Sequence, residues 1–400
     1  MTPPTRAVTE RLAELRSADL PAYLYDLTAL REHVAWIRSV LPDTVEMYYA
    51  AKANPEPAIL TTLHGIVDGF EVSSGGKLTH VAAAVPTAPL AFGGPGKTAH
   101  ELTAAIHHGV HRIHVESEHE LRVLAALAAA RSRPIDVLLR VNLPVADTAA
   151  AGSALAMGGR ATPFGMSPQQ AHSCAAALTA GQFPHLRWRG VHAHLASGLD
   201  ADDLVELTAS IVEWARALAR TCQTDLAEVN VGGGMNVDYA PDAPTFDWKT
   251  YSAGLARLTR ASPATLLRIE PGRALTAYCG WYATDVLDVK TSHGTDFAIV
   301  RGGTHHLRTP AARAHSQPFS HIPVESWPHD SPRPACSGGP LTVTGQLCTP
   351  KDILAHTHTA ATVRAGDRLV FGRAGAYAWN ISHHDFLMHP APTFHHLDRP

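Results

Sequence analysis

VEMYYAAKANP, residues 45–55, reads as a strand that runs straight into a loop. Val45 to Ala51 is mostly apolar and aromatic; Lys52 and an Asn54-Pro55 turn then stop it, because proline cannot donate to a strand ladder. The pattern recurs through the first two-thirds of the chain, at 69–73 (GFEVS), 89–93 (PLAFG), 112–116 (RIHVE), 135–142 (IDVLLRVN), 188–195 (WRGVHAHL), 228–232 (EVNVG) and 265–270 (TLLRIE). Helical periodicity fills the gaps. Leu30, Val34, Ile37 and Leu41 share a face after Asp26, an N-cap residue type. Thr98 with Glu101 and Ser117 with Glu120 match capping boxes, the second followed by Leu121, Leu124 and Ala128. Leu204, Leu207, Ile211, Trp214 and Leu218 form a further stripe, read as a core face. Eight strands alternating with helices over about 250 residues predict a (β/α)8 barrel. An open doubly wound sheet is the alternative that the same alternation allows.

Past residue 275 the texture changes. Segments 281–289, 296–301, 341–347 and 367–372 read as strands between Gly, Pro and Asp turns, with little helical periodicity. The expected division is a barrel over 27–275 and a mostly β domain, barrel or sandwich, over 276–400 joined by 1–26. Segment 308–338, rich in Pro, His and Ser, reads as one long loop. Of the 400 residues, 45% are hydrophobic and 17% charged, which excludes a mostly disordered chain. A formal charge of −3 argues against a large nucleic-acid surface. No apolar run nears the roughly 18 residues that span a bilayer, and the first residues do not read as a signal peptide. Five scattered cysteines without a CxxC pair point to reduced thiols and the cytoplasm. The 26 histidines form no HExxH or His/Cys grid, so no metal is expected.

In a barrel the chemistry gathers at the C-terminal ends of the strands. The polar residues there are Lys52, His192, His194, Ser197, the triplet Gly232-Gly233-Gly234, Glu270, Gly272 and Arg273. Lysine occurs only at 52, 77, 97, 249, 290 and 351, so one that ends an apolar strand stands out. A lysine in an apolar neighbourhood has a depressed pKa and forms Schiff bases; the plain alternative is a solvated charge. The glycine amides suit a phosphate or a tight turn, and without GxGxxG a dinucleotide is a poor reading. Arg273 suits a phosphate dianion or the surface. Glu270 and His194 have ordinary readings as buried structural groups.

Taken in order, YYAAKANP (48–55), GFEVSSGGKL (69–78), GVHAHLASG (190–198), VNVGGG (229–234), EPGR (270–273), GQLCTPKD (345–352) and GAYAWN (375–380) resemble the fold type III pyridoxal-phosphate decarboxylases. That group contains the ornithine and diaminopimelate enzymes. The resemblance implies a barrel followed by a β domain, pyridoxal 5'-phosphate as cofactor, and a homodimer with shared active sites. It implies that Lys52 carries the cofactor, His194 stacks on its ring and Glu270 pairs with the ring nitrogen. Ser197, Gly232, Gly233, Gly234, Gly272, Arg273 and Tyr377 would hold the phosphate, and Cys348 would protonate the product carbanion from the partner subunit.

Departures from the pattern bear on substrate. Relatives that bind a distal amine carry Asp or Glu directly after the cysteine; here it is Thr349, while the CxxxD spacing survives with Asp352. The family's Ser-Lys-Phe-Gly stretch stands as Thr162-Pro163-Phe164-Gly165. RGGTHHLRTPAA (301–312) and NISHHDFLMHPAP (380–392) are similar to the decarboxylases of citrate-based siderophore pathways, such as those for staphyloferrin B, vibrioferrin and achromobactin. This implies a carboxylate-bearing substrate, a citryl-diaminopropionate or citryl-serine conjugate, met by Arg308, His305, His306 and Asp352. The rivals are a decarboxylase of free diaminopimelate, ornithine or lysine, an amino-acid racemase, and a non-catalytic regulator. Glu270 speaks against the racemase, whose relatives avoid an acid at the ring nitrogen. Intact Lys52, Glu270, Arg273 and Cys348 speak against the regulator.

Overall fold

The computed structural model describes residues 3–144, 158–240, 244–357 and 362–399. The chain forms two compact units: Arg31–Val237 with Thr245–Leu275, and Met1–Leu30 with Asp238–Pro244 and Thr276–Pro400. Strand β1 (Ala22–Asp26) belongs to the second unit.

The first unit is a closed parallel barrel of β2 (Val45–Ala50), β3 (Gly69–Val72), β4 (Leu90–Phe92), β5 (Arg112–Val115), β6 (Ile135–Arg140), β7 (Leu186–His192), β8 (Glu228–Asn230) and β9 (Leu266–Ile269). All eight stretches read as strands from sequence line the barrel. Pairing of Val45 with Leu267 and Met47 with Ile269 closes it, which decides against the open sheet. Helices cover the outer face. On helix Ala201–Thr221, Leu204, Leu207, Ile211 and Leu218 are buried; truncating Ile211 to alanine would cost about 2–5 kcal/mol.

Cap chemistry starts the helices largely as expected. Asp26 Oδ1 accepts the Ala29 amide at 2.9 Å, and Thr98 and Glu101 make both arms of a capping box. The box expected at Ser117 is half made. Ser117 accepts the Glu120 amide, but the Glu120 carboxylate lies in the core, 2.8 Å from the Lys97 ammonium. A buried ammonium needs that charge more than an N-cap amide does.

The floor of the barrel, at the N-terminal ends of the strands, is ionic. The fully buried Arg268 bridges Glu228 and Glu46 and lies over the Tyr48 ring at 4.2 Å. Arg112 meets Glu228 at 2.7 Å and Asp136 at 3.0 Å.

The second unit is an eight-stranded sheet. Its path runs β12 (Phe319–Ile322), β15 (Arg368–Phe371), β10 (Gly280–Ser292), β11 (Thr295–Val300), β13 (Leu341–Thr344), β14 (Ile353–Thr357). β1 pairs with β10, and β16 (Thr393–Leu397) pairs with β1. Val8, Leu12, Leu15, Leu20, Leu24 and Trp281 make a core against it. The loop expected over 308–338 holds a helix, Thr309–Arg313, and β12. β12 pairs with β15, nearly fifty residues on, a partner that local composition cannot reveal. Among the described residues no helix is long and apolar enough to cross a membrane.

Candidate active site

The C-terminal mouth of the barrel begins at Lys52. The loop that carries it is fixed on all sides: Ala50 N donates to Pro271 O at 3.1 Å, Ala51 N to Glu71 O at 2.9 Å, and Tyr49 OH to Asn54 O at 3.0 Å. The sequence led us to expect apolar surroundings for the ammonium. The structure corrects this: Lys52 Nζ stands 3.3 Å from Oε2 of Glu71, a buried carboxylate at the end of β3. Burial pushes the Glu71 carboxyl up; Lys52 opposes this, and the charge of Glu270 adds to it.

Glu270 follows β9 and is 7% exposed. Its Oε1 accepts Asn230 Nδ2 at 2.7 Å, and its Oε2 lies 3.3 Å from His192 Nε2. His114 Nε2 is 3.8 Å from Oε1, and the His114 and His192 rings stack at 4.2 Å with planes 13° apart. Strand register causes this meeting: His192 sits beside Asn230 between β7 and β8, and Asn230 beside Arg268 between β8 and β9. Burial holds both imidazoles well below the usual histidine range, so they are neutral at pH 7. His114, His192 and Glu270 place donor atoms within 4.8 Å of one another.

His194, two residues beyond His192, packs on Gly232. A Cβ at Gly232 would stand 2.6 Å from the His194 Cβ, and one at Gly233 2.6 Å from the Glu270 carbonyl oxygen. Gly232 also has φ +68°, so the triplet lets the loop after β8 close against its neighbours. The Gly232 amide donates to Asn230 Oδ1 at 2.9 Å; those of Gly233 and Gly234 have no hydrogen-bond partner among the described residues. Burial, helped by the Lys52 charge, lowers His194 to about 3. Ser197 Oγ lies 3.4 Å from its Nε2. Gly272 packs the loop after β9 on Ala53, which places Arg273 next to the lysine loop. The barrel thus brings together Lys52, His194, Ser197, Gly232, Gly233, Gly234, Glu270, Gly272 and Arg273.

Beside Thr162-Pro163-Phe164-Gly165, Glu116 accepts the Gly165 amide at 3.0 Å and pairs with Arg140 at 2.6 Å, whose guanidinium lies over Phe164 at 4.9 Å. Glu71, His114, Glu116, Arg140 and Asn230 carried no sequence assignment. The signal in each case is a polar residue in the last two positions of an apolar strand or just past it.

Cys348, Asp352, His305, His306, Arg308 and Tyr377 lie in the second unit. Cys348 is exposed on a turn that Asp352 clamps. Asp352 Oδ1 accepts Thr304 N at 2.6 Å and Thr304 Oγ1 at 2.8 Å, and Oδ2 accepts Leu347 N at 2.9 Å. His306 is bound at both nitrogens, to Tyr282 OH at 3.1 Å and Pro390 O at 3.0 Å. His305 is fully buried, with neither ring nitrogen in a hydrogen bond among the described residues. Arg308 is exposed, its Nη1 2.8 Å from His383 Nδ1. The Tyr377 carbonyl accepts Thr309 Oγ1 at 2.6 Å.

Residues 27–277 match the family model of the pyridoxal-binding domain of pyridoxal-dependent decarboxylases. The chain is 38% identical over 399 residues to 2-[(L-alanin-3-ylcarbamoyl)methyl]-2-hydroxybutanedioate decarboxylase of Staphylococcus aureus, covering 98% of each. It is 31% identical over 386 residues to an L-glutamyl acyl-carrier-protein decarboxylase of Niallia circulans, covering 94% of this chain and 88% of that one. In fold it matches a diaminopimelate decarboxylase of Helicobacter pylori, crystallised with L-lysine, at TM-score 0.84 and 23% identity, covering 98% and 94%.

Proposed function

Because the chain belongs to the pyridoxal-dependent decarboxylases, we propose that it releases CO2 from the amino-acid end of a citryl-type conjugate during siderophore assembly. The observation that carries this substrate is the near full-length similarity to the Staphylococcus enzyme, whose name describes a diaminopropionate joined by an amide to citrate. Thr349 agrees with it. A distal ammonium would lack the carboxylate expected after Cys348, whereas a second carboxylate has Arg308 in the same unit.

The residues of the barrel mouth fit pyridoxal phosphate. They offer one lysine amine, one buried carboxylate with neutral partners, and two glycine amides with no partner among the described residues. When bound, the cofactor supplies an electron sink for the pair left behind by CO2. Lys52 would hold it covalently, with Glu71 keeping the amine in place. Glu270 would hold a proton at the ring nitrogen. His194 would cover the ring face, and neutral as it is would not compete for that proton. Gly233, Gly234, Ser197, Arg273 and Tyr377 would bind the phosphate. Gly232, whose amide already serves Asn230, would shape the loop instead.

Cys348 would deliver the proton that replaces CO2, from the second subunit of a homodimer. Its exposure on a clamped turn supports that role. Ile381, Phe386, Leu387 and Met388 form an exposed apolar run, Met388 at 88%, that a dimer interface would cover. Asp352 and His306 act through the loops they tie, and Arg308 meets the distal carboxylates. Five free cysteines agree with a cytoplasmic enzyme.

CO2 release from citryl-diaminopropionate, citryl-serine, diaminopimelate, ornithine and lysine, on one preparation of holoenzyme, tests the reading. A citryl conjugate should lead in kcat/KM by at least roughly tenfold, the ratio given by about 1.4 kcal/mol. Faster turnover of a free diamino acid would overturn the citryl substrate.

A further inference from the structure

The carboxylate of Glu270 differs from every other buried carboxylate around it. Four cations of the barrel each have an acid of their own. Lys52 pairs with Glu71 at 3.3 Å, Lys97 with Glu120 at 2.8 Å, Arg140 with Glu116 at 2.6 Å, and Arg268 with Glu46 and Glu228. Among the described residues no lysine or arginine stands at ion-pair distance from Glu270. Its partners are the Asn230 amide and the imidazoles of His192 and His114.

We propose, resting on the decarboxylase reading, that His192 and His114 are positioning residues that hold Glu270 by dipoles alone, leaving its whole charge for the cofactor's ring nitrogen. A carboxylate this buried must accept hydrogen bonds from protein groups. A lysine or arginine in the place of His192 would satisfy it too, but would offset its charge and weaken its demand for a proton on the ring. A neutral imidazole satisfies it without doing so. His192 Nδ1 is buried and has no hydrogen-bond partner among the described residues, so its single proton belongs on Nε2, facing Oε2 of Glu270. His114 acts one layer back. Its Nε2 is too far from Glu270 for a hydrogen bond, and its ring lies flat on that of His192 and fixes the plane from which His192 donates. His194 is the remaining titratable group on this side; it packs against Gly232 with Ser197 Oγ 3.4 Å from its Nε2, and it feels the Glu270 charge only as a minor effect beside its burial.

The test is nitrogen NMR of the holoenzyme loaded with pyridoxal phosphate labelled with 15N at the ring nitrogen. Wild type should keep that nitrogen protonated from about pH 6 to 9. His192→Gln, which retains a neutral N–H donor, should behave like wild type. His192→Leu should lose the ring proton within that range, and kcat should fall roughly 10- to 100-fold with KM little changed, the worth of one hydrogen bond to a charged group. For His114 the ring matters and its nitrogen does not. His114→Phe should match wild type in the spectrum, while His114→Ala should move toward His192→Leu. If His192→Leu does not fold, the Phe and Ala variants carry the test between them. A spectrum indifferent to His192→Leu, or identical in His114→Phe and His114→Ala, overturns the proposal. A wild type that takes up no pyridoxal phosphate would instead overturn the cofactor site on which it rests.

Discussion

Glu228→Gln should destabilise the barrel without touching its chemistry. Glu228 is 1% exposed and accepts from two buried guanidiniums, Arg112 at 2.7 Å and Arg268. The amide keeps the volume but removes the charge and turns an NH2 toward one of the arginines. Breaking a buried ion pair costs about 3–5 kcal/mol. Here each arginine keeps a second acid, Arg112 with Asp136 at 3.0 Å and Arg268 with Glu46 at 2.5 Å, so the low end, about 3 kcal/mol, applies. For a unit of this size that is a fall in Tm of roughly 6–12 °C. Urea unfolding at 25 °C and a thermal scan of the same sample measure it. Glu228 begins β8, whereas Glu270 follows the end of β9, so kcat per folded molecule should not change. The exposed pair Arg6–Glu10 provides the control, and Glu10→Gln should leave Tm unmoved. A loss below about 1 kcal/mol for Glu228→Gln would refute the buried-network argument, since that is the worth of a surface pair.

Borohydride reduction of the holoenzyme should fix the cofactor to the peptide containing Lys52, and Lys52→Ala should lose the visible absorbance; a labelled peptide with another lysine refutes the assignment. Inactive Lys52→Ala and Cys348→Ala dimers, mixed and allowed to exchange, should recover about a quarter of wild-type activity, because half the dimers then carry one intact site of two. No recovery after confirmed exchange would put both residues in one chain's site. Arg308→Ala should lower kcat/KM for a citryl conjugate by roughly tenfold or more and leave free diamino acids nearly unchanged; an equal loss on both would remove Arg308 from substrate recognition. His305 and His306 are lowered by burial to about 4 and about 3, against about 6.5 when unfolded. The unfolded chain therefore binds more protons, and stability should fall as pH drops from about 6.5 toward 4. His306→Gln should remove about one proton from the uptake on unfolding near pH 5, read from urea midpoints against pH; an unchanged slope would mean His306 is already protonated in the fold.

Much of this protein is legible along the chain. Strands such as VEMYYAA and TLLRIE announce themselves by apolar runs that stop at a polar residue, and Thr98 with Glu101 by three-residue spacing. These are short-range properties, set by backbone sterics and side-chain burial within one element. Lys52 and Glu270 were legible for the same reason, each a polar residue that ends an apolar run. What lies across from them was not. Glu71 faces Lys52, and His114 and His192 support Glu270, because closure of the barrel fixes the register of one strand against the next. A one-residue slip would have turned those side chains to the other face. The same distance in sequence hid β12 in a loop-like segment, drew Glu120 from its cap to Lys97, and tied His306 and Asp352 to groups on other loops. Local sequence determined which residues were available for chemistry, and packing between distant strands decided which partner each of them met.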